Sequence, residues 1–322
     1  MHKFLSLLLI AFLSFDTNAS LQFERYELEE GLSQNTVNCL LQDHKGFLWV
    51  CTQDGLNRFD GYTFKTFEEN SNEAFAISDD YVISIFESSD KSLWVGTRSG
   101  GLNKFDFATH RFEHFKGDNS PDGIKLTRVT AIVEINQDVL WLGTYKGVVA
   151  FDRSNNSYRA IDIGYPRDST HITAMLKDKR GNIWIGTRYK GIVRVSDGQK
   201  LAYFNKREVS TFNSDTIWAL FEDSRSNIWI GTESGALRYS YVENTFHLLV
   251  HDADDRSSIS NNIVRSFTEG KDGDLWIATD YGLNKLSLDD YDVARYLHNP
   301  SDEKSIGGNS INVLHMTQDN VL

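Results

Sequence analysis

The sequence lacks several patterns, and each absence argues against a class of protein. No amphipathic run of ten or more residues occurs, which argues against a helical repeat protein. Lys and Arg number 33 against 45 Asp and Glu, and the net charge of −12 repels phosphate backbones, so we predict no nucleic-acid partner. After an N-terminal apolar stretch, no second run is long enough to span a bilayer. Gly-x-Ser-x-Gly elbows and phosphate-binding Gly-rich loops before a lysine are also missing.

Glycine and aromatic residues are plentiful by contrast. The 322 residues include 23 Gly, 20 Phe, 13 Tyr and 7 Trp, with three Pro. Many tight turns together with many aromatic side chains are typical of short strands packed sheet on sheet.

The N-terminus has the features of a secretory signal peptide over residues 1–19. His2 and Lys3 give it a weakly basic start, and residues 4–15 form an apolar run that is short for a bilayer span. Residues 17–19 suit a cleavage site, with Ser20 as the mature N-terminus. An uncleaved anchor is the alternative. We therefore expect an exported protein.

One cluster recurs six times: Leu or Ile, Trp, an apolar residue, a small residue, and Thr. Its tryptophans lie 43 to 47 residues apart: Trp49, Trp94, Trp141, Trp184, Trp229 and Trp276. Apolar residues stand twelve and nine positions before each of them, and a small residue stands ten before. Trp218 is the seventh tryptophan and lies outside the pattern. Self-similarity at this period indicates a repeat architecture.

Each unit divides into four short segments separated by turn sequences. In the first unit these are residues 36–42, 47–52, 56–60 and 62–67, which are rich in β-branched and aromatic residues. Four hairpin-linked strands in 43 to 47 residues is the period of a propeller blade. We predict an all-β fold, a β-propeller of four-stranded blades over residues 20–322, in which the tryptophans fill the gaps between blades.

Partial units at both ends bear on the number of blades. Ile311, Val313 and Leu314 match the apolar and neighbouring positions that begin the first strand in the other units. The spacing predicts a tryptophan at position 323, and we therefore expect a C-terminally truncated fragment. Phe23 to Leu28 resembles the outermost strand of a unit, and an N-terminal strand that completes the last blade removes the open edge. We expect seven blades, with six full repeats plus a truncated seventh present.

The units resemble the two-component regulator propeller family. Its hallmark is an apolar strand followed by Glu-Asp-x-x-Gly-x-Leu-Trp-Ile-Gly-Thr-x-x-Gly-Leu. The best matches are residues 221–223 leading to Trp229-Ile230-Gly231-Thr232, and residues 177–187. The stretches between units at 251–262 and 298–306 also look like the family. The resemblance covers about residues 22 to 322.

The resemblance implies a periplasmic sensor whose parent protein is anchored in the inner membrane. Family members usually carry a second propeller, a further β-domain, a transmembrane helix and a cytoplasmic histidine kinase or diguanylate cyclase, and some are thought to sense carbohydrates. A non-enzymatic sensing fragment is therefore expected here, with a small molecule or carbohydrate as partner and a homodimer as the parent's assembly. We predict no cofactor and no metal.

The face that carries the links between units is the predicted ligand surface. Its turns after the repeated Thr differ from unit to unit, and the best binding candidates there are Arg98, Tyr145, Arg188, Tyr189 and Tyr281. The strand starts on this face are all polar: Asn35, Asp80, Thr127, Thr170, Asp215, Asn262 and Asn309. The alternative is that these polar residues are turn formers and the candidates are solvated loop tips.

Two further functions stay open. Propellers can be lyases or glycosidases with paired carboxylates in the central channel, and Asp80 and Asp215 are the candidates for such a pair. A passive protein-interaction scaffold is the other alternative. The pairs His110 with His114 and His247 with His251 have metal-binding spacing only on a helix, and these segments are predicted as strand and link.

The two cysteines fall on the small-residue columns of one predicted hairpin. Cys39 and Cys51 are antiparallel neighbours, so a cross-strand disulfide can form in an oxidising compartment. The alternative, which the Ala and Gly at these columns in other units favour slightly, is two unpaired small side chains.

Overall fold

A computed structural model describes residues 21–117, 124–196 and 200–322. It contains six antiparallel four-stranded sheets, each a meander in chain order. Blade 1 comprises β1 Cys39–Gln42, β2 Leu48–Cys51, β3 Leu56–Phe59 and β4 Phe64–Phe67. Blade 2 comprises β5 Val82–Glu87, β6 Leu93–Thr97, β7 Leu102–Asp106 and β8 Arg111–Phe115. Blade 3 comprises β9 Ala131–Asn136, β10 Val139–Thr144, β11 Gly147–Asp152 and β12 Ser157–Ile161.

The second half of the chain repeats the pattern. Blade 4 comprises β13 Ile172–Lys177, β14 Ile183–Thr187, β15 Ile192–Ser196 and β16 Lys200–Phe204. Blade 5 comprises β17 Ile217–Glu222, β18 Ile228–Thr232, β19 Gly235–Ser240 and β20 Thr245–Leu249. Blade 6 comprises β21 Val264–Glu269, β22 Leu275–Thr279, β23 Gly282–Leu286 and β24 Val293–Tyr296. Short 3-10 turns cover Leu28–Glu30 and Arg167–Ser169.

The sheets follow one another as propeller blades. The first strand of each sheet contacts the first strand of the next, from β1 through β5, β9, β13 and β17 to β21. The prediction of an all-β propeller with four-stranded blades is confirmed. None of the described helices is long and apolar enough to cross a membrane.

The repeated tryptophans pack between blades, as predicted. Trp49 of blade 1 lies edge-on to Phe105 of blade 2, with ring centroids 5.0 Å apart, and Trp184 of blade 4 lies 5.3 Å from Tyr239 of blade 5. Trp229 is fully buried in a cluster with Leu286 of blade 6. The cores therefore form between neighbouring sheets, which explains why a single blade cannot bury its own apolar face.

Buried aspartates anchor three of the six repeated tryptophans. In blades 1, 4 and 5 the indole Nε1 donates at 2.8 Å to an aspartate six residues earlier, and these aspartates are Asp43, Asp178 and Asp223. The other carboxylate oxygen closes the turn, since Asn227 N donates to Asp223 Oδ1 at 2.8 Å. Blade 2 uses the Ser88 hydroxyl instead. The family's Asp-to-Trp spacing is thus a hydrogen-bonding device.

The stability of the propeller should depend on ionised Asp178. Burial acts to raise the pKa of Asp178, but hydrogen bonds from Tyr241, Trp184 and Asn182 outweigh it and hold the pKa below its usual value. A lowered carboxyl pKa in the folded state adds stability above the unfolded-state value, which is about 3.9, and that stability is lost as the pH falls through the folded-state pKa.

We predict that Asp178→Asn lowers the free energy of unfolding by roughly 1.5–3 kcal/mol at pH 7. The difference from the unmodified protein should shrink as the pH falls below about 4 and be lost below the folded-state pKa, where Asp178 is protonated and both proteins carry a neutral side chain. Urea unfolding between pH 7 and pH 3 measures it, with the exposed Asp254→Asn as control. A difference that stays constant with pH would contradict the role of the charge.

The small-residue columns bring neighbouring blades into contact. A Cβ built on Gly186 would lie 2.7 Å from Ile217 Cγ2, and one built on Gly231 would lie 2.7 Å from the Val264 carbonyl oxygen. In blade 1 the equivalent pair is Cys39 and Cys51, which are directly opposed in the sheet and form a disulfide with Cα atoms 5.0 Å apart. The favoured interpretation of two unpaired small side chains was therefore wrong, because the strand register opposes the two cysteines directly.

The expected seventh blade is not present as a sheet. No strand is assigned among residues 21–38 or 297–322, so six blades are found and a truncated seventh repeat is not shown. Phe23 to Leu28, predicted as an outermost strand, has no ladder partner and continues into the 3-10 turn. These two segments have the residue pattern of strands. In the other units, a segment with this pattern pairs with the remaining strands of its blade to form a four-stranded sheet.

Candidate functional site

Two faces of the propeller differ in what they carry. The short-turn face holds the turns between first and second strands, such as residues 43–47. The link face holds the turns after the repeated Thr, the links between blades and the strand starts. Gly55 N donates to Asp80 O at 2.8 Å and Gly191 N to Asp215 O at 2.9 Å, which places both kinds of loop together.

Polar residues at the strand starts on the link face accept hydrogen bonds that hold the links in place. Asp215 Oδ1 accepts from Lys206 N at 2.8 Å, Asn262 Oδ1 accepts from His251 N at 2.7 Å, and Asp80 accepts from Glu69 N. Each holds the link that precedes it, so the interpretation as turn formers fits these residues. The carboxylates proposed as a catalytic pair, Asp80 and Asp215, are thereby engaged with backbone amides of separate links.

Three of the five predicted binding residues lie in one connected group. Tyr145 stacks on His171 with ring centroids 4.7 Å apart, and His171 lies 6.2 Å from Tyr189. Arg188 N donates to His171 O at 3.0 Å, and its guanidinium lies 5.6 Å from the Tyr189 ring. Tyr189 is 63% exposed. The structure therefore brings Tyr145, Arg188 and Tyr189 together around His171.

The other two predicted residues lie at the margins of this group. The Arg98 guanidinium lies 5.1 Å from the ring of Tyr81, and Arg98 O accepts from Arg128 N at 2.9 Å. Arg128 in turn lies 4.4 Å above the Tyr145 ring, so Arg98 joins the group through the backbone. Tyr281 is 52% exposed and follows Asp280, with no ring or cation contact to the other four in the described residues.

Sequence reasoning missed four members of this surface: Arg128, His171, Trp218 and Arg265. The Trp218 ring lies 5.8 Å from the Arg188 guanidinium and 4.7 Å from that of Arg265. Arg265 is itself held by Asp280 through a bidentate pair of 2.7 and 2.9 Å. One signal was available in the sequence, since Trp218 is the tryptophan that breaks the repeat.

The surface carries unpaired positive charge. Within the part of the chain that the structure describes, no carboxylate lies within ion-pair distance of Arg98, Arg128 or Arg188. Each instead lies over an aromatic ring, where the cation meets the negative face of the π system. In a chain of net charge −12, this arrangement favours an anionic or polar ligand on the link face.

Each histidine of the two pairs makes its own contact within the fold. His114 Nε2 contacts Ala76 O at 2.6 Å, His247 Nε2 contacts Glu243 at 2.5 Å, and His251 Nδ1 contacts Ile259 O at 2.8 Å. His110 stacks on Phe105. Across residues 21–117, 124–196 and 200–322, no group of three or more His, Cys, Asp or Glu is placed to hold a metal ion.

Two grooves of about 760 and 600 Å³ lie away from this surface. They flank β8, the outermost strand of blade 2, and are lined by the preceding link and residues such as Phe75 and Arg111. Arg111 lies 4.8 Å from the Phe75 ring, and both residues line both grooves. They contain none of the predicted binding residues.

Comparison with known families identifies the repeats. The model of the two-component regulator propeller matches residues 31–54, 76–99, 166–189, 211–234 and 258–281. Each match covers a link end and the hairpin that contains the Trp cluster, in blades 1, 2, 4, 5 and 6. These five units are two-component regulator propeller repeats. The predicted resemblance is thereby confirmed.

The proteins similar to this chain include a histidine kinase and the extracellular domains of two-component systems. Histidine kinase P4 of Formosa agariphila is 41% identical over 76 residues, which is 23% of this regulator propeller chain and 6% of that protein. The extracellular domains of two putative hybrid two-component systems from B. thetaiotaomicron, BT3049 and BT4673, superpose with TM-scores of 0.78 and 0.76 at 24% and 23% identity. Both comparisons cover 93% of this chain, which spans 40% and 38% of those structures.

A propeller enzyme also has the same general fold. The streptogramin B lyase structure superposes with a TM-score of 0.66 at 11% identity, over 90% of both chains. At such identities the likeness shows the fold alone. The likeness to the regulator propeller therefore rests on the repeat motifs.

Proposed function

We propose that this chain is the extracytoplasmic ligand-sensing propeller of a transmembrane signalling protein. The family resemblance and the N-terminal signal-peptide pattern support the location, although residues 1–19 lie outside the described residues. The curated relative is named a histidine kinase, and the structural neighbours are extracellular domains of putative hybrid two-component systems. The parent protein would carry a second propeller and a C-terminal kinase or cyclase domain, and would act as a homodimer in the inner membrane.

The ligand surface that we propose is the link face, with a small molecule or glycan as the ligand. The observation that carries this is the connected group of Tyr145, His171, Arg188 and Tyr189, together with Arg98 and Tyr281 at its margins. Exposed tyrosines offer flat apolar faces with polar tips, which suit the faces and hydroxyls of a sugar ring. Unpaired arginines offer hydrogen-bond donors without a competing partner.

We further propose that a seventh blade closes the propeller between blades 6 and 1. Ile311 N donates to Thr279 O at 3.1 Å, as Val82 N does to Thr52 O at 3.0 Å between blades 1 and 2. The side-chain amide of Asn312 donates from Nδ2 to the carbonyl oxygen of Val37 at 3.4 Å. These contacts support residues 309–316 as the innermost segment of a seventh unit between blades 6 and 1.

The N-terminal segment repeats the contacts of an outermost strand. Phe23 N donates to Lys304 O at 3.1 Å, two residues before Ile306, and in blade 2 Phe112 N donates to Phe75 O at 2.9 Å, two residues before Ile77. The Arg25 guanidinium then donates to Ser305 O at 3.3 Å. The equivalent bond in blade 6 joins Arg295 to Ser258 O at 2.7 Å. We propose that residues 23–28 form the outer strand of the seventh blade.

A ligand screen with two matched tyrosine variants tests the proposed surface. A ligand from a panel of mono- and oligosaccharides should raise the melting temperature of the chain, because it binds the folded state alone. Tyr189→Ala on the link face should weaken its binding at least ten-fold. Tyr62→Ala, 92% exposed on the short-turn face, should leave it unchanged.

Variants at all five predicted residues complete the test. Unchanged affinity after substitution of Arg98, Tyr145, Arg188, Tyr189 and Tyr281 in turn would disprove the link-face proposal. Loss of binding in Tyr62→Ala alone would move the site to the opposite face. Turnover of a saccharide that Asp215→Asn abolishes would favour the enzyme alternative instead.

A further inference from the structure

The residue eleven positions before each repeated tryptophan has a structural role in part of the propeller. Four strands show a register shift that skips this residue: Ile83, Thr173, Trp218 and Arg265. Asn38 and Thr130 hold the same place in blades 1 and 3. Their side chains donate at 2.8 Å to backbone carbonyl oxygens of the next blade, Val82 O and Ile172 O. We call this the bulge position.

Blades 4 to 6 depart from this role. Thr173 Oγ1 and Trp218 Nε1 are buried with no hydrogen-bond partner, and Arg265 turns to Asp280 instead of the next blade. A buried unpaired donor costs about 1–3 kcal/mol, which offsets the stability that the ring contacts of a tryptophan in this place add. His171 Nδ1, beside this position in blade 4, is also buried without a partner.

Trp218 lies between two guanidinium groups that are in different electrostatic states. Arg265 is neutralised by the bidentate contact with Asp280 and holds the indole in place. Arg188 has no carboxylate within ion-pair distance in the described residues, and its side chain makes no hydrogen bond there. Its backbone is fixed at both ends, since Arg188 N donates to His171 O and Arg188 O accepts from Thr216 Oγ1 at 2.8 Å.

We propose that Trp218 and Arg188 form the centre of the ligand site and bind a sugar that carries a carboxylate or a sulfate ester. The inference rests on the proposed link-face function and names the ligand class for it. The planar guanidinium of Arg188 matches the oxygens of either anion in a bidentate pair. The exposed ring of Tyr189 offers an apolar face for the sugar ring, beside the half-buried indole. Asp280 is paired with Arg265, so its charge is compensated and does not oppose the anion.

Fluorine NMR on protein labelled with 5-fluorotryptophan tests this directly. The chain has seven tryptophans, and the Trp218 signal is the one that Trp218→Phe removes. The probes are D-glucuronate, D-glucose 6-sulfate and D-glucose, which differ in the group at carbon 6. We expect the two anionic sugars to shift the Trp218 signal saturably, with at least ten-fold higher affinity than glucose.

Two variants and a salt titration complete the design. Arg188→Gln should weaken the response to the anionic sugars at least ten-fold, whereas Arg225→Gln on the short-turn face should leave it unchanged. Raising the salt concentration should weaken the anionic response, because screening is stronger. A response to one anionic sugar alone identifies whether the carboxylate or the sulfate ester is recognised.

Failure of this inference is distinct from failure of the link-face function. Equal responses to glucose and to the anions would overturn the anionic ligand class. No response of the Trp218 signal to any of the three sugars would overturn the assignment of the site. In either case, a ligand found by the melting-temperature screen and lost in Tyr189→Ala would leave the link-face function standing.

Discussion

Replacing Trp229 by alanine is expected to lower the free energy of unfolding by roughly 3–5 kcal/mol. The side chain is fully buried and packs against residues of blade 6, among them Val264 and Leu286. Its removal leaves a large cavity between two blades and deprives Asp223 of the indole hydrogen bond at 2.8 Å. Urea unfolding followed by circular dichroism measures the loss. Because packing between blades is shared, the midpoint should fall for the whole propeller.

Trp218→Ala is the matched control for this prediction. It removes the same side chain one strand away, but Trp218 is half-buried and its Nε1 has no partner. The expected loss of stability is about 1 kcal/mol or less, which is the usual range away from a core or hydrogen-bond network. Equal losses in the two variants would contradict the separation between the structural tryptophans and the one on the link face.

Removal of the disulfide is expected to cost about 3 kcal/mol in the chain-entropy estimate for a short loop. Cys39 and Cys51 are 12 residues apart and close the first hairpin of blade 1. The informative variant is the double substitution Cys39→Ala with Cys51→Gly, because Ala and Gly fill the same columns in blades 3 to 5. It removes the covalent link while it keeps the packing that those blades use.

The reduced protein is the control for this second prediction. In a reducing buffer the unmodified chain should lose the same stability and approach the double variant, whose own midpoint should not move. Titration of free thiols under non-reducing conditions should detect none in the folded, oxidised protein. A double variant as stable as the oxidised protein would show that the link adds nothing to a hairpin already closed by its turn.

The blade architecture could be predicted because each unit repeats the same physical requirements. Trp229 and its counterparts recur where a gap between sheets must be filled, and glycine recurs where a neighbouring blade approaches within 2.7 Å of a built Cβ, as at Gly231. Such constraints are local to a unit and its neighbour, so a single sequence displays them several times. The strand limits were predicted less well, since β1 begins at Cys39 rather than Thr36.

The candidate site could be predicted only in part, because it consists of departures from the repeat. Tyr145, Arg188 and Tyr189 were found since they vary at a predicted loop face. His171 and Arg128 were missed because a polar residue beside a strand start is also what a turn requires. Their grouping depends on contacts between blades, such as the stack of Tyr145 on His171 at 4.7 Å.

The sequence by itself determined the repeat, the four-stranded blades, the family resemblance and the face on which variation is concentrated. Periodic spacing carries that information, since every unit must bury one tryptophan and turn three times within 43 to 47 residues. The tertiary structure decided the disulfide, which required Cys39 and Cys51 to be opposed in register, and it decided which arginines are left unpaired. Both are matters of distance between residues far apart in sequence or on opposite strands, and a pattern of residue types does not contain distances.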